Sequence, residues 1–300
     1  MSNTGPKMDF VSDGTYYGKH QVRVMQHRRR GNVHDIKEVT VDTHLSLARQ
    51  RDFIHADNSD VIATDSQKNT VYALAKTKGI TSPEQFAIDL SHHFLTSYAQ
   101  VVRTEISVEE TPWRRMDQSG IEHVHAFIQT HEAKRFCTVQ QEKHGLPKVW
   151  AGLSGMKILK TTQSGFVGFV RDKFTSLPET TDRVFCTAVA GKWLYSKVAG
   201  MDFDKTWEIC KNCILDIFAG PPETGVYSPC VQQTLYQAAQ QMMAKVPQVE
   251  QVELEMPNIH YFFADLKKIG MENSGEILMP TSEPHGYIRA AVRRSPSSRL

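Results

Sequence analysis

Hydrophobic and polar residues alternate along several stretches of the chain, with the period of two that is typical of strands with one buried face. The first two such stretches, residues 16–28 and 34–48, follow each other closely and therefore predict an antiparallel pair. Further strands are predicted at 101–110 and 121–130. In the second half of the chain, the same pattern predicts strands at 134–142, 155–162, 183–195, 249–256 and 286–293.

Two stretches in the first half have apolar residues at the three-to-four spacing that predicts helices. The first is expected to be capped by Asp65 and to end at Gly79. The second opens at residues 81–84 (TSPE), a capping-box pattern with proline in the first turn. The buried faces are predicted to consist of Val71, Leu74 and Ala75 in the first helix, and Phe86, Leu90, Phe94 and Tyr98 in the second.

Two helices are also predicted in the second half. One runs from Asp204 to Phe218 and is stopped by Gly220-Pro221, and the other begins with Ser228 as a cap before a proline. Each half of the chain therefore reads ββααββ, which predicts an α+β fold with helices on one face of an antiparallel sheet. Because such a sheet exposes its edges, we expect a closed oligomer.

The same patterns predict the domain organisation. We expect a flexible leader over residues 1–14, a first unit over 15–145, a second unit over 146–294 and a short tail over 295–300. The chain has 300 residues, 40% of them hydrophobic and 23% charged, as in ordinary soluble globular proteins. A net charge of +2 gives no reason to expect a nucleic-acid partner, and no apolar run approaches the roughly twenty residues of a membrane span.

Cysteine and histidine residues do not predict a metal site. Five cysteines do not suggest a disulfide framework, and Cys210 and Cys213 fall inside a predicted helix without a second pair. His123 and His125 lie on one strand face, but no third ligand is identifiable. Dinucleotide, phosphoryl-transfer and hydrolase motifs are absent from the sequence.

The segment from Lys160 to Arg183 contains the most informative pair of side chains. Phe166 follows a flexible Ser-Gly pair, and Arg183 opens a predicted strand. An aromatic ring can stack on a flat ligand, and a guanidinium can bind the edge of an anionic ligand through two hydrogen bonds. The alternative is a surface loop with one core phenylalanine and one surface arginine.

Other candidates are scattered along the chain. Lys19 follows a glycine that permits close backbone approach, and Thr64 places a hydroxyl at a helix start, which favours anions. Gln232 lies near the start of a helix, and Asn258 and His260 share one strand face, where the histidine could transfer protons near neutral pH. Each has an ordinary alternative: a strand-edge lysine, a helix cap, a surface glutamine and a structural histidine.

The last three residues, Ser298-Arg299-Leu300, differ by one residue from the Ser-Lys-Leu peroxisomal address. Together with the segments below, they closely resemble the urate oxidase (uricase) family, and its vertebrate form in particular. Met156 and Cys230 depart from the expected Leu and Ser, and neither removes a functional residue. The matching segments are 17–19 (YGK), 56–76 (ADNSDVIATDSQKNTVYALAK), 159–183 (LKTTQSGFVGFVRDKFTSLPETTDR), 227–236 (YSPCVQQTLY) and 257–262 (PNIHYF).

The resemblance implies two tunnelling-fold (T-fold) units per chain and a homotetramer with active sites between subunits. It implies that Phe166 stacks on the purine of urate while Arg183 and Gln232 bind its edge. It also implies that Asn258 lies over the ring, where dioxygen or water is bound. The remaining substrate-binding residues that it implies are Thr64, Asp65, Leu177, Val231 and Ile288.

A proton relay of Lys19, Thr64 and His260 is also implied, with Thr64 and Asp65 supplied by the neighbouring subunit. The implied reaction is oxidation of urate by dioxygen and water to 5-hydroxyisourate and hydrogen peroxide, without cofactor or metal. Because peroxide is a product, a peroxisomal location and binding of an import receptor to the terminal tripeptide are expected.

Two alternatives remain at this stage. One is another purine- or pterin-binding enzyme of the tunnelling fold, of the cyclohydrolase or aldolase type, although zinc ligands are not evident. The other is a purine-binding protein without catalytic activity, which the presence of Lys19, Thr64 and His260 disfavours.

Overall fold

The computed structural model describes residues 8–11, 14–281 and 283–295. Most of the predicted leader and tail, including Ser298-Arg299-Leu300, lies outside the described residues. The chain divides into two compact units, one formed by residues up to 126 with 137–149, and the other by 127–136 with the residues from 150 onward.

The first unit contains a sheet with the strand order β1-β2-β3-β6, on which α2 contacts β1 and α3 contacts β3. Strands β4 and β5 form a separate two-stranded sheet. The elements are β1 (Tyr17–Arg30), β2 (Val33–Leu47), α1 (Arg51–His55), α2 (Thr64–Thr77), α3 (Pro83–Ser97), β3 (Val101–Thr111), β4 (Trp113–Gln118), β5 (Ile121–Gln129) and β6 (Lys134–Glu142).

The second unit repeats this arrangement with the strand order β7-β8-β9-β12, and α4 packs on α5, which contacts β9 and β12. Strands β10 and β11 pair separately. The elements are β7 (Lys148–Lys160), β8 (Phe185–Tyr195), α4 (Phe203–Ala219), α5 (Val231–Lys245), β9 (Val249–Glu255), β10 (Tyr261–Phe263), β11 (Leu278–Pro280) and β12 (Arg289–Arg293). The predicted ββααββ order and the α+β class are confirmed.

The core of the first unit lies between its sheet and its helices. In β2, Val39, Val41 and Leu45 are completely buried at alternate positions, as the period of two predicts. In α3, Phe86, Leu90 and Phe94 are also completely buried at helical spacing, whereas Tyr98 lies just beyond the helix end. Each such side chain contributes about 1.5–3 kcal/mol to stability. The amphipathic patterns therefore identified both buried faces.

Two predictions about strands were wrong. The stretch at 121–130 is a strand, but it pairs with β4 instead of joining the main sheet, and β6 lies beside β3 in its place. Strand β6 therefore follows β3 in the strand order of the first unit. Strand β7 begins at Lys148, seven residues before the predicted start at 155. Its early residues, VWAGL, form a continuous apolar run in the sequence, so they lack the alternation of apolar and polar residues on which the prediction relied.

Two predicted helix caps were also wrong. Ala63 occupies the capping position of α2, and Asp65 lies within the first turn, where a negative charge still stabilises the helix dipole. Cys230, not Ser228, precedes α5, because the hydroxyl of Ser228 is instead bonded to other side chains. By contrast, α3 begins within the predicted capping segment 81–84, with Ser82 as the cap that accepts a hydrogen bond from the Gln85 amide.

The five cysteines are all free thiols. Cys210 and Cys213 lie on the buried face of α4, and burial raises the pKa of each thiol. Both therefore behave as apolar core residues. Within the described part of the chain, no helix combines the length and apolarity needed to cross a membrane.

Candidate active site

A cavity of about 430 Å³ opens in the second unit, which is within the range of small-ligand pockets. We call it the ligand cavity. It brings together all the site residues that were predicted in this unit. These lining residues are Phe166, Leu177, Arg183, Val231, Gln232, Asn258, His260 and Ile288.

Backbone hydrogen bonds bring the two ends of the Phe166–Arg183 segment together. Phe166 and Thr180 exchange two backbone bonds, of 2.7 and 3.1 Å, and the Arg183 amide donates to the Ser164 carbonyl at 2.9 Å. The guanidinium carbon of Arg183 consequently lies 5.5 Å from the centroid of the Phe166 ring. An aromatic face and a cation thus line the same cavity although they are seventeen residues apart in sequence.

Arg183 is half-buried and its charge is incompletely compensated. Burial lowers the pKa of its guanidinium. An arginine side chain nevertheless stays protonated in proteins, so the cation is retained. The Nε atom is buried and has no hydrogen-bond partner among the described residues. A buried donor without a partner is costly, so an acceptor on an anionic ligand would stabilise this side chain.

The Phe166 ring is supported by a residue that sequence reasoning missed. Phe169 stacks on it with 4.8 Å between centroids and 9° between planes. The backbone just before Phe166 also packs closely, because a Cβ on Gly165 would lie 2.0 Å from the Tyr227 hydroxyl oxygen. Only glycine is therefore compatible with this approach. The repeated Gly-Phe of GFVGF was the available signal for a paired aromatic.

Three cavity residues lie beside β9 and β12: Asn258 and His260 follow β9, and Ile288 directly precedes β12. The Asn258 amide donates to Gly286, and the Met256 amide donates to the Ile288 carbonyl at 2.8 Å. Asn258 and His260 both face the cavity, as their spacing of two predicts. The pKa of His260 is lowered, chiefly because burial disfavours the imidazolium, with smaller contributions from Arg183 and His285. The ring is therefore neutral at pH 7 and can accept a proton.

Sequence comparison connects this geometry to a known family. The family model described as uricase matches residues 15–140 and 149–289. The chain belongs to the uricase family. It is 47% identical to a uricase of Oryctolagus cuniculus over 300 residues, covering 100% of both chains. It is 44% identical to a uricase of Danio rerio over 299 residues, covering 100% of this chain and 99% of the other.

A solved structure supports the same assignment. The crystal structure of uricase from Arthrobacter globiformis superimposes with a TM-score of 0.89 at 30% identity, covering 97% of this chain and 96% of that chain. The prediction of tandem tunnelling-fold units and the resemblance to the uricase family are both confirmed.

The remaining predicted site residues of this uricase-family chain lie in the first unit and do not line the ligand cavity. Lys19 is half-buried near the start of β1, whereas Thr64 and Asp65 are exposed at the start of α2. The pKa of Asp65 is lowered mainly by the hydrogen bond from Lys68, and the charge of Lys19 adds a smaller contribution. The strand and the helix start therefore place these charges near each other.

A buried polar network, which sequence reasoning also missed, joins these two elements. The Thr43 hydroxyl donates to the side-chain oxygen of Gln67 at 2.7 Å and accepts from the Lys19 amide at 3.2 Å. The Gln67 side chain donates in turn to the carbonyl of Ile62, at 3.2 Å. Thr43 and Gln67 are completely buried. We call Lys19, Thr43, Ile62 and Gln67 the first-unit network.

Two further contacts fix the first-unit network. The Tyr17 hydroxyl accepts a hydrogen bond from the Ile62 amide at 2.8 Å, and burial raises its pKa to about 12. A Cβ on Gly18 would lie 1.6 Å from the Thr43 carbonyl oxygen, so only glycine allows β1 and β2 to approach here. The predicted close approach beside Lys19 is confirmed.

The sequence pattern offered one histidine pair as a candidate for metal binding. His123 and His125 contact each other on β5, with ring centroids 4.6 Å apart. Among the described residues, no group of three or more His, Cys, Asp or Glu side chains is arranged to hold a metal ion.

Proposed function

We propose that the ligand cavity binds urate and that the protein oxidises it with dioxygen and water to 5-hydroxyisourate and hydrogen peroxide, in purine degradation. One observation carries this proposal. In a chain of the uricase family, Phe166 and Arg183 line the same cavity, with the guanidinium carbon 5.5 Å from the ring centroid. Urate is planar and anionic, and it carries hydrogen-bonding groups around its edge. The cavity offers a ring, a cation and two amide side chains.

Each cavity residue has a distinct role in this proposal. Phe166 is the stacking surface, while Arg183 and Gln232 bind the polar edge of the purine. Asn258 binds dioxygen or water over the ring. Leu177 and Val231 contribute backbone groups and Ile288 forms a wall. The proposed role of Arg183 is supported by its unpaired Nε, which an oxygen or nitrogen of urate would satisfy.

The chemistry requires proton transfer in addition to binding. Urate, dioxygen and water give 5-hydroxyisourate and peroxide, so two electrons pass from urate to dioxygen while water supplies the added hydroxyl. An anionic purine is electron-rich enough to reduce dioxygen without a cofactor, which leaves the protein to stabilise the anion and move protons. Lys19, Thr64 and His260 form the relay. The lowered pKa of His260 supports this role, because a neutral imidazole can accept a proton at pH 7.

The protein assembles as a homotetramer in this proposal, with Lys19, Thr64 and Asp65 of one subunit completing the ligand cavity of another. The observation that supports it is that these residues do not line the ligand cavity of their own chain. The terminal Ser298-Arg299-Leu300 is recognised by an import receptor that delivers the enzyme to peroxisomes.

The central experiment follows the ultraviolet absorbance of urate and the uptake of oxygen together, with and without a chelator. We expect both signals to fall in parallel and to be insensitive to chelation. Loss of activity that one added metal restores would contradict cofactor independence. If the protein binds urate but takes up no oxygen, the proposed oxidase activity is wrong and a purine-binding protein without catalytic activity is favoured. Light scattering tests the homotetramer by measuring the mass of the assembly. Deletion of the terminal tripeptide tests the location, since it should prevent import into peroxisomes.

A further inference from the structure

Two of the segments that line the ligand cavity meet at one residue, Ser228. The backbone amide of Ser228 donates to the Gln163 carbonyl at 2.8 Å, and its carbonyl accepts from the Gly165 amide at 3.0 Å. Ser228 thus joins the strand-like stretch before Phe166 to the turn before α5, which carries Gln232. The relative position of ring and amide depends on this contact.

Lys160, the last residue of β7, reaches the same place from the sheet. Its Nζ donates to the Ser228 hydroxyl and to the Val226 carbonyl, both at 2.8 Å. The hydroxyl of Ser228 also accepts a hydrogen bond from Thr234 in α5, at 3.0 Å. Both lone pairs of that oxygen are therefore occupied, one by β7 and the other by α5.

The surroundings of Lys160 are unusual for a lysine. Its Nζ lies 5.5 Å from the ring centroid of Phe218 and 5.9 Å from that of Phe185, and both rings are buried. Among the described residues, no carboxylate pairs with it, and burial lowers its pKa to about 8. An ordinary surface lysine would keep its ammonium in water. Two oxygen acceptors and two aromatic faces hold this one in place instead.

Lys160 does not line the ligand cavity, so any effect on the ligand is indirect. We propose that Lys160 is a positioning residue, which holds the Gln232 end of α5 in register with Phe166 and Arg183 through its bond to Ser228. This rests on the proposed function of the cavity. Loss of the bond between Lys160 and Ser228 would let the turn before α5 move. The Gln232 amide would then no longer be placed to bind the same purine as Phe166 and Arg183.

The test compares Lys160→Met with Lys157→Met, which changes an exposed lysine of the same strand. We expect Lys160→Met to raise the KM for urate and the Kd for xanthine, a purine without the 8-oxo group, by about tenfold. Because proton transfer does not involve Lys160, kcat should stay within about threefold of the wild type. Lys160→Arg should recover part of the affinity, and Lys157→Met should match the wild type.

A second variant separates positioning from simple stability. Ser228→Ala should also raise the KM for urate and the Kd for xanthine. The double variant should bind xanthine no more weakly than the worse of the two single variants, since both single variants remove the bond between Lys160 and Ser228. This variant decides the matter if Lys160→Met does not fold. Wild-type KM and Kd values in folded Lys160→Met or in Ser228→Ala would overturn the proposal, even if the melting temperature falls. Absence of urate oxidation in the wild type would instead overturn the proposed function.

Discussion

The ligand cavity and the first-unit network are constructed in different ways. Apart from Val231 and Gln232, which begin α5, the predicted cavity residues lie on irregular segments that backbone hydrogen bonds hold together, such as the pair between Phe166 and Thr180. The first-unit network, apart from Ile62, lies on regular elements, where the completely buried Thr43 and Gln67 join β2 to α2. An irregular segment can follow the outline of a ligand, whereas a helix and a sheet hold a reactive group in one fixed place.

This difference predicts different kinetic consequences in the two regions. Changes in the ligand cavity should mainly affect affinity for purines. Changes in the first-unit network should mainly affect turnover, because the network includes Lys19, which is proposed to transfer protons.

The largest effect is expected for Lys19→Met. Removal of this residue of the proposed relay should lower kcat by about 10²–10⁴-fold while the Kd for xanthine changes by less than about threefold. Stopped-flow measurement of urate loss and equilibrium binding of xanthine provide the two numbers. Lys76→Met, at an exposed position of α2, is the matched control. A turnover number close to the wild type would remove Lys19 from the relay.

Arg183→Lys should have the opposite profile. A lysine ammonium cannot reproduce the planar fork of the guanidinium, so binding of xanthine should weaken by about 2–4 kcal/mol. Titration calorimetry measures this loss, with Arg114→Lys on the exposed face of β4 as the control. Wild-type affinity in Arg183→Lys would contradict a role at the edge of the purine.

Gln67→Leu tests the first-unit network without altering a relay residue. The Thr43 hydroxyl and the Ile62 carbonyl would lose their partner in the core, which should cost about 1–3 kcal/mol of unfolding free energy. We also expect kcat to fall by about tenfold, because Lys19 and α2 are no longer tied together.

Denaturant unfolding and steady-state kinetics measure these two effects of Gln67→Leu. Adding Thr43→Val should recover part of the stability, since it removes the unpaired hydroxyl, but it should not recover kcat. If the double variant recovered kcat together with the free energy of unfolding, the first-unit network would serve stability alone.

The smallest effect concerns pH. The folded-state pKa of His260 is lowered below its ordinary value of 6.5, mainly by burial, so the unfolded chain binds more protons in the window just below pH 6.5. The neutral ring therefore makes its full contribution to stability above pH 6.5 and loses it as pH falls through the folded pKa. His260→Gln should lose less stability than the wild type between pH 6.5 and 5, measured by thermal unfolding. An equal loss in both proteins would contradict the burial effect.

Regular elements were the easiest part of the protein to predict. The face of α3 with Phe86, Leu90 and Phe94 and the alternation in β2 follow directly from periodicity. Prediction failed where the periodicity disappears or where two interactions compete. The buried start of β7 shows no alternation, and the hydroxyl of Ser228 binds Lys160 and Thr234 instead of capping α5.

The candidate site divides along similar lines. Phe166 and Arg183 could be chosen from sequence because their chemistry matches a flat anion, and Asn258 and His260 because a spacing of two places them on one face. Thr43 and Gln67 could not, since their importance comes from a contact between residues that are distant in sequence, whereas Phe169 had the repeated Gly-Phe of GFVGF as a signal. A glutamine within a helix has no pattern that marks it as buried.

The sequence by itself determined the ββααββ order, the buried faces and the residue types available for chemistry, because these depend on local periodicity and side-chain character. Tertiary structure decided which of those residues meet. It placed the guanidinium carbon of Arg183 5.5 Å from the Phe166 ring centroid on one cavity of the second unit, and it joined Lys19 to Thr43 and Gln67 in the first unit. It also turned Lys160 from a strand-end lysine into a half-buried contact between β7 and α5. Such contacts join segments far apart in the chain, and their geometry follows from packing of the whole unit.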